Sequence, residues 1–298
     1  MAGSNSHPGN AGYIMEPAVQ PCGVCGETAY AARVSKSSGS YTSNWVVCAG
    51  CNVQRIYPYP EQAELAAYYN DKYLEKKCTG SVSHLLRFSQ EYRPTVFNEY
   101  AQSVADVGLT KAMVLNSKIL DFGCADGIFL DWLRSLGADR AQLGGIDISE
   151  DMVELARQKG HRAVSVEAKG EFSGEKFDLV TLWDVLEHLL NPVETLRNLA
   201  NFLKPGAYLL LQTPRVGLLS DILQESFEHY LPIEHIHLFP RQTLIDCMTS
   251  IGYSVTKAMS FGANAPSSKI PRPYKSAYDQ LAKQTDNGAT QVLLCTWQ

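Results

Sequence analysis

The chain has 298 residues, 45% apolar and 19% charged, enough for one sizeable core with a small appendage and unlike the composition of a disordered protein. A net charge of -5 offers no general attraction to phosphate backbones or anionic membranes, so nucleic acid is not expected as the main partner. No stretch approaches the ~18 consecutive apolar residues of a membrane span, and Met1 to Asn5 lack the basic and apolar regions of a signal peptide, so a cytoplasmic protein is expected.

Residues 1–20, rich in Gly, Ser, Asn and Pro without apolar periodicity, predict a flexible lead-in. Two Cys-x-x-Cys pairs follow, Cys22 with Cys25 and Cys48 with Cys51, separated by β-favouring residues. Four thiolates at this spacing can converge on a tetrahedral zinc ion, a closed set with no open position for chemistry, which predicts a structural Zn2+ in a ribbon over 21–60. The cations Arg33, Lys36 and Arg55 are too few to read it as a nucleic-acid module. Pro58 and Pro60 close this region, and Leu65, Tyr68, Tyr69 and Tyr73 then follow a helical period, predicting a connector or lid over 61–112. From Lys118, short apolar runs alternate with amphipathic ones. They predict strands at 118–123, 143–147, 163–166, 177–183 and 208–212, and helices at 127–136, 150–158 and 192–203. A helix at 241–250, strands at 254–259 and 291–296, and a polar insertion at 263–289 complete an α/β domain over 113–298, with a mostly parallel seven-stranded sheet and helices on both faces.

The first strand runs into Asp121-Phe122-Gly123-Cys124-Ala125-Asp126-Gly127, where glycines let backbone approach a ligand and a helix start offers free N–H groups. The second strand ends in Gly145-Ile146-Asp147-Ile148, placing a carboxylate about 20 residues beyond the loop, where it can accept bonds from ribose hydroxyls. Together they indicate an adenosine-containing ligand. Ligands of open α/β sheets sit beyond the carboxyl ends of the strands, so Trp183, Asp184, Glu187 and His188 are expected to border the same pocket.

Through Asp121 to Gly127, Gly145 to Asp147, Phe177 to Asp184 and Leu203 to Gly206 the sequence resembles the class I S-adenosylmethionine-dependent methyltransferases, with their Rossmann-like sheet. The resemblance implies that Asp121 and Gly123 flank the methionine moiety, Asp147 holds the ribose, Ile148 packs on adenine, and Glu167 approaches the base. It adds Cys124, Ala125, Gly127, Met152, Trp183 and Asp184 to the cofactor candidates; Ala125 stands where many relatives have glycine. The Asp184-x-x-Glu187-His188 stretch is similar to the ubiquinone-type O-methyltransferases and implies cofactor positioning, a general base, or a divalent metal at Asp184, Glu187 and His188. The amino-terminal cysteines with Tyr57-Pro58-Tyr59-Pro60 resemble the zinc ribbon of methyltransferases acting on sugars and natural-product intermediates.

Three of the seven histidines, His229, His235 and His237, fall in one segment after the fifth predicted strand. An imidazole near neutral pKa suits proton abstraction, so His235, His237 and His188 are the candidate bases. O- or C-methylation of a small molecule is the expected reaction, in a monomer or homodimer. Phe88, Tyr92, Arg93, Arg215, Tyr230, Arg272 and Tyr274 are candidates for an anionic or ring-bearing acceptor. The alternatives are a catalytically degenerate binding module and an NAD-type oxidoreductase.

Overall fold

The computed structural model describes residues 20–65, 67–68, 89–262 and 272–298. The lead-in at 1–19, the connector residues 69–88 with Tyr69, Tyr73, Cys78 and Phe88, and residues 263–271 of the insertion lie outside that range, as do the side chains of Arg272 and Tyr274.

A hairpin of β1 (Tyr30–Ser38) and β2 (Tyr41–Cys48) opens the described chain, followed by the short β3 (Gln54–Ile56). Helices α1 (Arg93–Asp106) and α2 (Lys111–Leu115) lead into β4 (Ile119–Phe122), α3 (Ile128–Ser135), β5 (Leu143–Asp147), α4 (Glu150–Gln158) and β6 (Ala163–Ser165). Then come β7 (Phe177–Trp183), α5 (Pro192–Leu199), the long β8 (Leu203–Val216), α6 (Leu218–Leu223), β9 (His237–Pro240), α7 (Arg241–Ser250), β10 (Tyr253–Phe261), α8 (Arg272–Thr285) and β11 (Thr290–Trp297).

The principal sheet runs β6-β5-β4-β7-β8-β11-β10, parallel from β6 to β8 and closed by an antiparallel pair. It is the expected seven-stranded Rossmann-like sheet, and the antiparallel end stands where a dinucleotide fold would place a second nucleotide-binding half. Its strands read as nearly unbroken apolar runs because helices cover both faces: Leu120, Ile146, Val180, Leu182, Leu209 and Leu211 are buried in one layer. Ile119, Leu179, Leu210 and Val292 face the other, against α1 and α3.

Two features depart from the expected boundaries. Helix α1, assigned by sequence to the connector, packs into the sheet: its Tyr100 ring lies 5.0 Å from Phe129, 5.9 Å from Trp132 and 4.8 Å from Trp183. Each such aromatic pair adds roughly 0.5–1.5 kcal/mol to the area buried. The cysteine module is also continuous with the main sheet. The end of β8 (Arg215, Val216) pairs in parallel with β9, β9 pairs with β3, and β3 with the β2–β1 hairpin. Neither β9 nor the length of β8 is evident from the sequence, since four residues at 237–240 show no strand period of their own.

The three cations of the module are internal ties. Arg55 is buried beneath Tyr30, Tyr57 and Tyr59 and donates to the Gln20 carbonyl at 2.9 Å. Arg33 pairs with Asp221 and Lys36 donates to the Phe227 carbonyl, fastening β1 to the segment after β8. No described helix is long and apolar enough to cross a membrane.

Candidate functional site

A cavity of about 720 Å³ opens at the carboxyl ends of β4, β5 and β7. Eight of the eleven cofactor candidates line it: Asp121, Gly123, Cys124, Ala125, Asp147, Ile148, Trp183 and Asp184. The other three do not. Gly127 is the left-handed residue that starts α3 and faces His161, where a Cβ would come within 2.7 Å of the ring. Met152 is buried in the first turn of α4, and Glu167 points to solvent while its neighbour Val166 takes the lining position.

The loop geometry follows from its residue types. Gly123 has φ +83°, and a Cβ there would meet Val185 Cγ2 at 2.3 Å, so only glycine fits. Ala125 adopts the left-handed region at φ +47°, and its N–H donates to Asp147 Oδ2 at 2.8 Å. The other oxygen of Asp147 accepts from Ser149 N–H at 2.9 Å. Ser149 caps α4, accepting from Met152 N–H, so capping and ligand-facing roles fall on separate residues. Beside Asp147, Ile148 is 67% exposed, an apolar face turned into the cavity where a flat ring would cover it.

Asp121 sits deeper. The sheet register sets it opposite Thr181, whose hydroxyl donates to Asp121 Oδ1 at 2.7 Å. Burial, reinforced by the Asp147 charge and opposed by that hydrogen bond, pushes the Asp121 carboxyl up to about 7. Burial also raises Asp147, against the backbone N–H groups that favour its charged form. Two buried carboxyls on one wall favour a cationic ligand, which would restore their ionisation. Thr181 and Tyr100 were not singled out by sequence. Thr181 could have been, because alternation along β7 puts it on the same face as Trp183.

At the opposite wall, Asp184 follows β7 in a left-handed conformation at φ +54°. Gln212 Nε2 donates to both its oxygens at 3.2 Å, and Gln212 Oε1 accepts from Ser103 of α1 at 3.1 Å. The structure therefore holds Asp184 as part of a side-chain clamp across β7, β8 and α1. It does not bring it together with Glu187 and His188: those two meet His235 instead, with one donor atom from each within 4.8 Å of the others.

The three candidate bases separate. His188 lines the cavity. His235 stands behind it, with ring centroids 4.9 Å apart. Burial, with His188 and His229 beside it, keeps the His235 imidazole well below its usual range, and it is neutral near pH 7. His237 lies outside the cavity lining and faces the cysteine module, which corrects the expectation that it serves as a base: its Nδ1–H donates to the Leu189 carbonyl at 3.0 Å and its Nε2 accepts from Tyr59 Oη at 2.9 Å. Burial lowers it to about 3. The Tyr59 oxygen in turn accepts from Gly23 N–H at 3.0 Å. A polar relay thus links the first cysteine knuckle to Leu189, which lines the cavity.

The four knuckle cysteines converge, with Cys22 Sγ 3.8 Å from Cys51 Sγ and Cys25 Sγ 3.5 Å from Cys48 Sγ. The sulfurs of a tetrahedral site with Zn–S of about 2.3 Å lie roughly 3.8 Å apart, so the set fits zinc. All described cysteines are free thiols. Of the suggested acceptor contacts, Arg93 pairs with Asp131, Arg215 with Asp286, and Tyr230 is buried against Trp45 with its hydroxyl on Gln54; with Tyr92, none lines the cavity. The aromatic lining comes from Tyr100, Phe122, Phe172, Trp183 and Phe202.

A family profile described as "Methyltransferase domain" matches residues 90–258. The chain is 33% identical over 135 residues to a ubiquinone biosynthesis O-methyltransferase of Xanthomonas euvesicatoria, covering 41% of this chain and 55% of that one. It is likewise 33% identical over 148 residues to a ubiquinone biosynthesis O-methyltransferase of Bordetella avium, 42% of this chain and 60% of the relative. The chain therefore spans little more than half the length of these relatives. Among solved structures, the magnesium protoporphyrin IX methyltransferase from Synechocystis PCC 6803 with bound SAH superposes with a TM-score of 0.52 at 18% identity, covering 80% of this chain and 100% of that one, which shows the shared fold.

Proposed function

The chain belongs to the methyltransferase-domain family, and from that premise we propose that it transfers the methyl group of S-adenosylmethionine to a small-molecule acceptor. The observation that carries the reading is the pairing of Asp147 with the exposed Ile148 at one end of the cavity and of buried Asp121 with Gly123 at the other. Asp147 would hold the ribose hydroxyls, and Ile148 would cover one face of the adenine. The backbone at Gly123 would lie against the methionine portion, with the Asp121 carboxylate countering its ammonium group. Bound there, the cofactor supplies an already activated methyl sulfonium, so much of the acceleration would come from aligning the acceptor with it.

The acceptor enters from the rim formed by Trp183, Asp184, His188 and Leu189, the part of the lining nearest the histidine cluster. The Gln212 clamp fixes Asp184, and the aromatic group of Tyr100 and Trp183 shapes an apolar wall suited to a ring-bearing acceptor. We assign oxygen or carbon as the methylated atom, in sugar or natural-product metabolism. The similarity to relatives named for ubiquinone O-methylation supports oxygen, and the cysteine module supports the sugar and natural-product group. A structural zinc at Cys22, Cys25, Cys48 and Cys51 completes the reading.

The test is transfer of a deuterated methyl group from labelled S-adenosylmethionine into small-molecule extracts, read by mass spectrometry with Asp147→Ala as control. A labelled product absent from the control gives the activity and the acceptor mass. Cofactor binding by calorimetry without transfer to any extract would favour a binding module, and absence of cofactor binding would remove the proposal.

A further inference from the structure

We propose that Lys159, the residue that closes α4, is a positioning residue for cofactor binding: by gripping Asp126 it holds the glycine loop where Ala125 N–H orients the Asp147 carboxylate toward the ribose. The inference rests on the proposed function for its ligand, and on the geometry around the loop for everything else.

The loop is tied by backbone hydrogen bonds at its two ends. Gly123 N–H and Cys124 N–H both donate to the Ile146 carbonyl, at 2.7 and 3.0 Å. Gly127 N–H donates to the Cys124 carbonyl at 2.8 Å, and the Gly127 carbonyl accepts from Asp131 N–H at 2.8 Å as α3 begins. Between these ties stand Asp126 and the left-handed Ala125, a conformation that alanine does not keep without support. Lys159 Nζ supplies it, donating to the Asp126 carbonyl at 2.9 Å and also to Asp126 Oδ2. Asp126 is 6% exposed, and among the described residues Lys159 is the only donor to its carboxylate. Without that cation a buried charge is left unbalanced, which forces Asp126 outward and draws Ala125 with it.

Lys159 is itself held in place. Asp131 Oδ2 lies 3.4 Å from its Nζ and accepts from Arg93 of α1 at 2.8 Å, while Asp131 Oδ1 pairs with His161 Nε2 at 2.7 Å. Burial works against the Asp131 charge, yet His161, Lys159 and Arg93 keep its carboxyl below the ordinary value. Helix α4 therefore reaches the cofactor site from both ends. At its start, Ser149 N–H donates to Asp147 Oδ1 at 2.9 Å; at its end, Lys159 fixes the residue beside Ala125, whose N–H donates to Asp147 Oδ2 at 2.8 Å. Each oxygen of an ionised carboxylate has a second lone pair, so Asp147 is aimed by these two bonds and keeps acceptors for the ribose hydroxyls.

The test measures S-adenosylmethionine binding by calorimetry and amide exchange by NMR, both on the full chain. Lys159→Met should weaken binding about tenfold, the size of one charge-assisted hydrogen bond. It should also speed exchange at Ala125 N–H in the cofactor-free protein and leave Ser149 N–H unchanged. Lys159→Arg keeps the cation and should bind within about threefold of the unsubstituted protein. In an Asp147→Asn background the same Lys159→Met change should cost less than about threefold, because the group it acts through is already impaired; if Asp147→Asn no longer binds measurably, the Ala125 exchange decides. Unchanged affinity or unchanged Ala125 exchange in Lys159→Met, an equal loss in Lys159→Arg, or full additivity with Asp147→Asn would each overturn the proposal. Lys159→Gln replaces Lys159→Met if the latter does not fold, and failure of both also overturns it, since the cation would then support the fold and not the loop. No binding by the unsubstituted protein sinks the proposed function, whereas binding that Lys159→Met leaves intact sinks the positioning role alone.

Discussion

The tip of the parallel strands and the cysteine module sit on one continuous sheet but are held together by different forces. Around Asp121 and Asp147 the backbone is fixed by Leu120, Ile146, Val180 and Leu182 beneath it, all essentially excluded from solvent, each contributing on the order of 1.5–3 kcal/mol of burial. In the module, Trp45, Val53 and Ile56 are the main apolar contribution, and an arginine is buried among them. Its cohesion otherwise draws on four thiols, on a relay of hydrogen bonds through Tyr59 and His237, on the polar ties of Arg33, Lys36 and Arg55, and on one short pairing of β3 on β9. A region supported by a large core tolerates local change. A region supported by a few directional contacts does not.

Breaking that comparison most sharply, Cys48→Ser should abolish binding of the proposed zinc by the module. Structural zinc sites in small domains contribute apparent energies on the order of 10 kcal/mol, more than this module's apolar contacts replace. The expected result is loss of zinc by elemental analysis and rapid proteolytic cleavage within 20–60, with the residues of the principal sheet still protected; a module that stays protected without metal would contradict it. Next in size, Tyr59→Phe leaves Gly23 N–H and the buried His237 Nε2 without their shared partner, a loss of about 1–3 kcal/mol. Hydrogen exchange should then rise at Gly23 and around His188 and Leu189, while the strand tips stay unchanged.

At the strand tips the expected effects depend on pH. The folded Asp121 carboxyl is pushed up to about 7 by burial from its ordinary value of 3.8, so the folded state binds more protons than the unfolded one between those values. Stability of the cofactor-free protein should therefore fall as pH rises from about 4 to 7 through this group. Asp121→Asn keeps an acceptor for Thr181 and removes that dependence. Thermal melts of the variant should show a flatter pH profile and higher stability at pH 8, together with weaker binding of S-adenosylmethionine; an unaltered profile would place the titrating group elsewhere. Smallest of all, Ala125→Gly relieves a left-handed alanine at φ +47° but loosens the unfolded chain, leaving a net gain of at most about 1 kcal/mol in denaturant melts. A clear loss would mean that the methyl group packs usefully against the loop.

The legible parts of the site were those whose chemistry is local. The glycine loop, Asp147 about twenty residues on, and the paired cysteines each carry their signal in residue type and spacing, and eight of the eleven cofactor candidates line one cavity. The misplaced ones share a cause. Gly127 and Glu167 lie next to lining residues and Met152 one helical turn beyond Ile148, and whether such a residue faces ligand, core or solvent depends on one turn of backbone. His237 looked equivalent to His235, two residues away. His235 lies in the irregular stretch before β9 and His237 is the first residue of that strand, so one ring meets His188 and the other faces the cysteine module, and near-identical sequence signals ended in different chemistry.

Alone, the amino-acid sequence determined the periodic apolar strands, the loop residues that only a close backbone approach requires, and the four thiols, because each is set by contacts within a few residues or by an invariant demand of the chemistry. Tertiary structure decided what depends on two distant segments meeting: the joining of β3 to β9, the burial of Arg55 under three tyrosines, and the exchange of Asp184 for His235 beside Glu187 and His188. Those pairings join residues roughly 25 to 185 positions apart or are fixed by such joins, and no local pattern encodes which distant partner arrives.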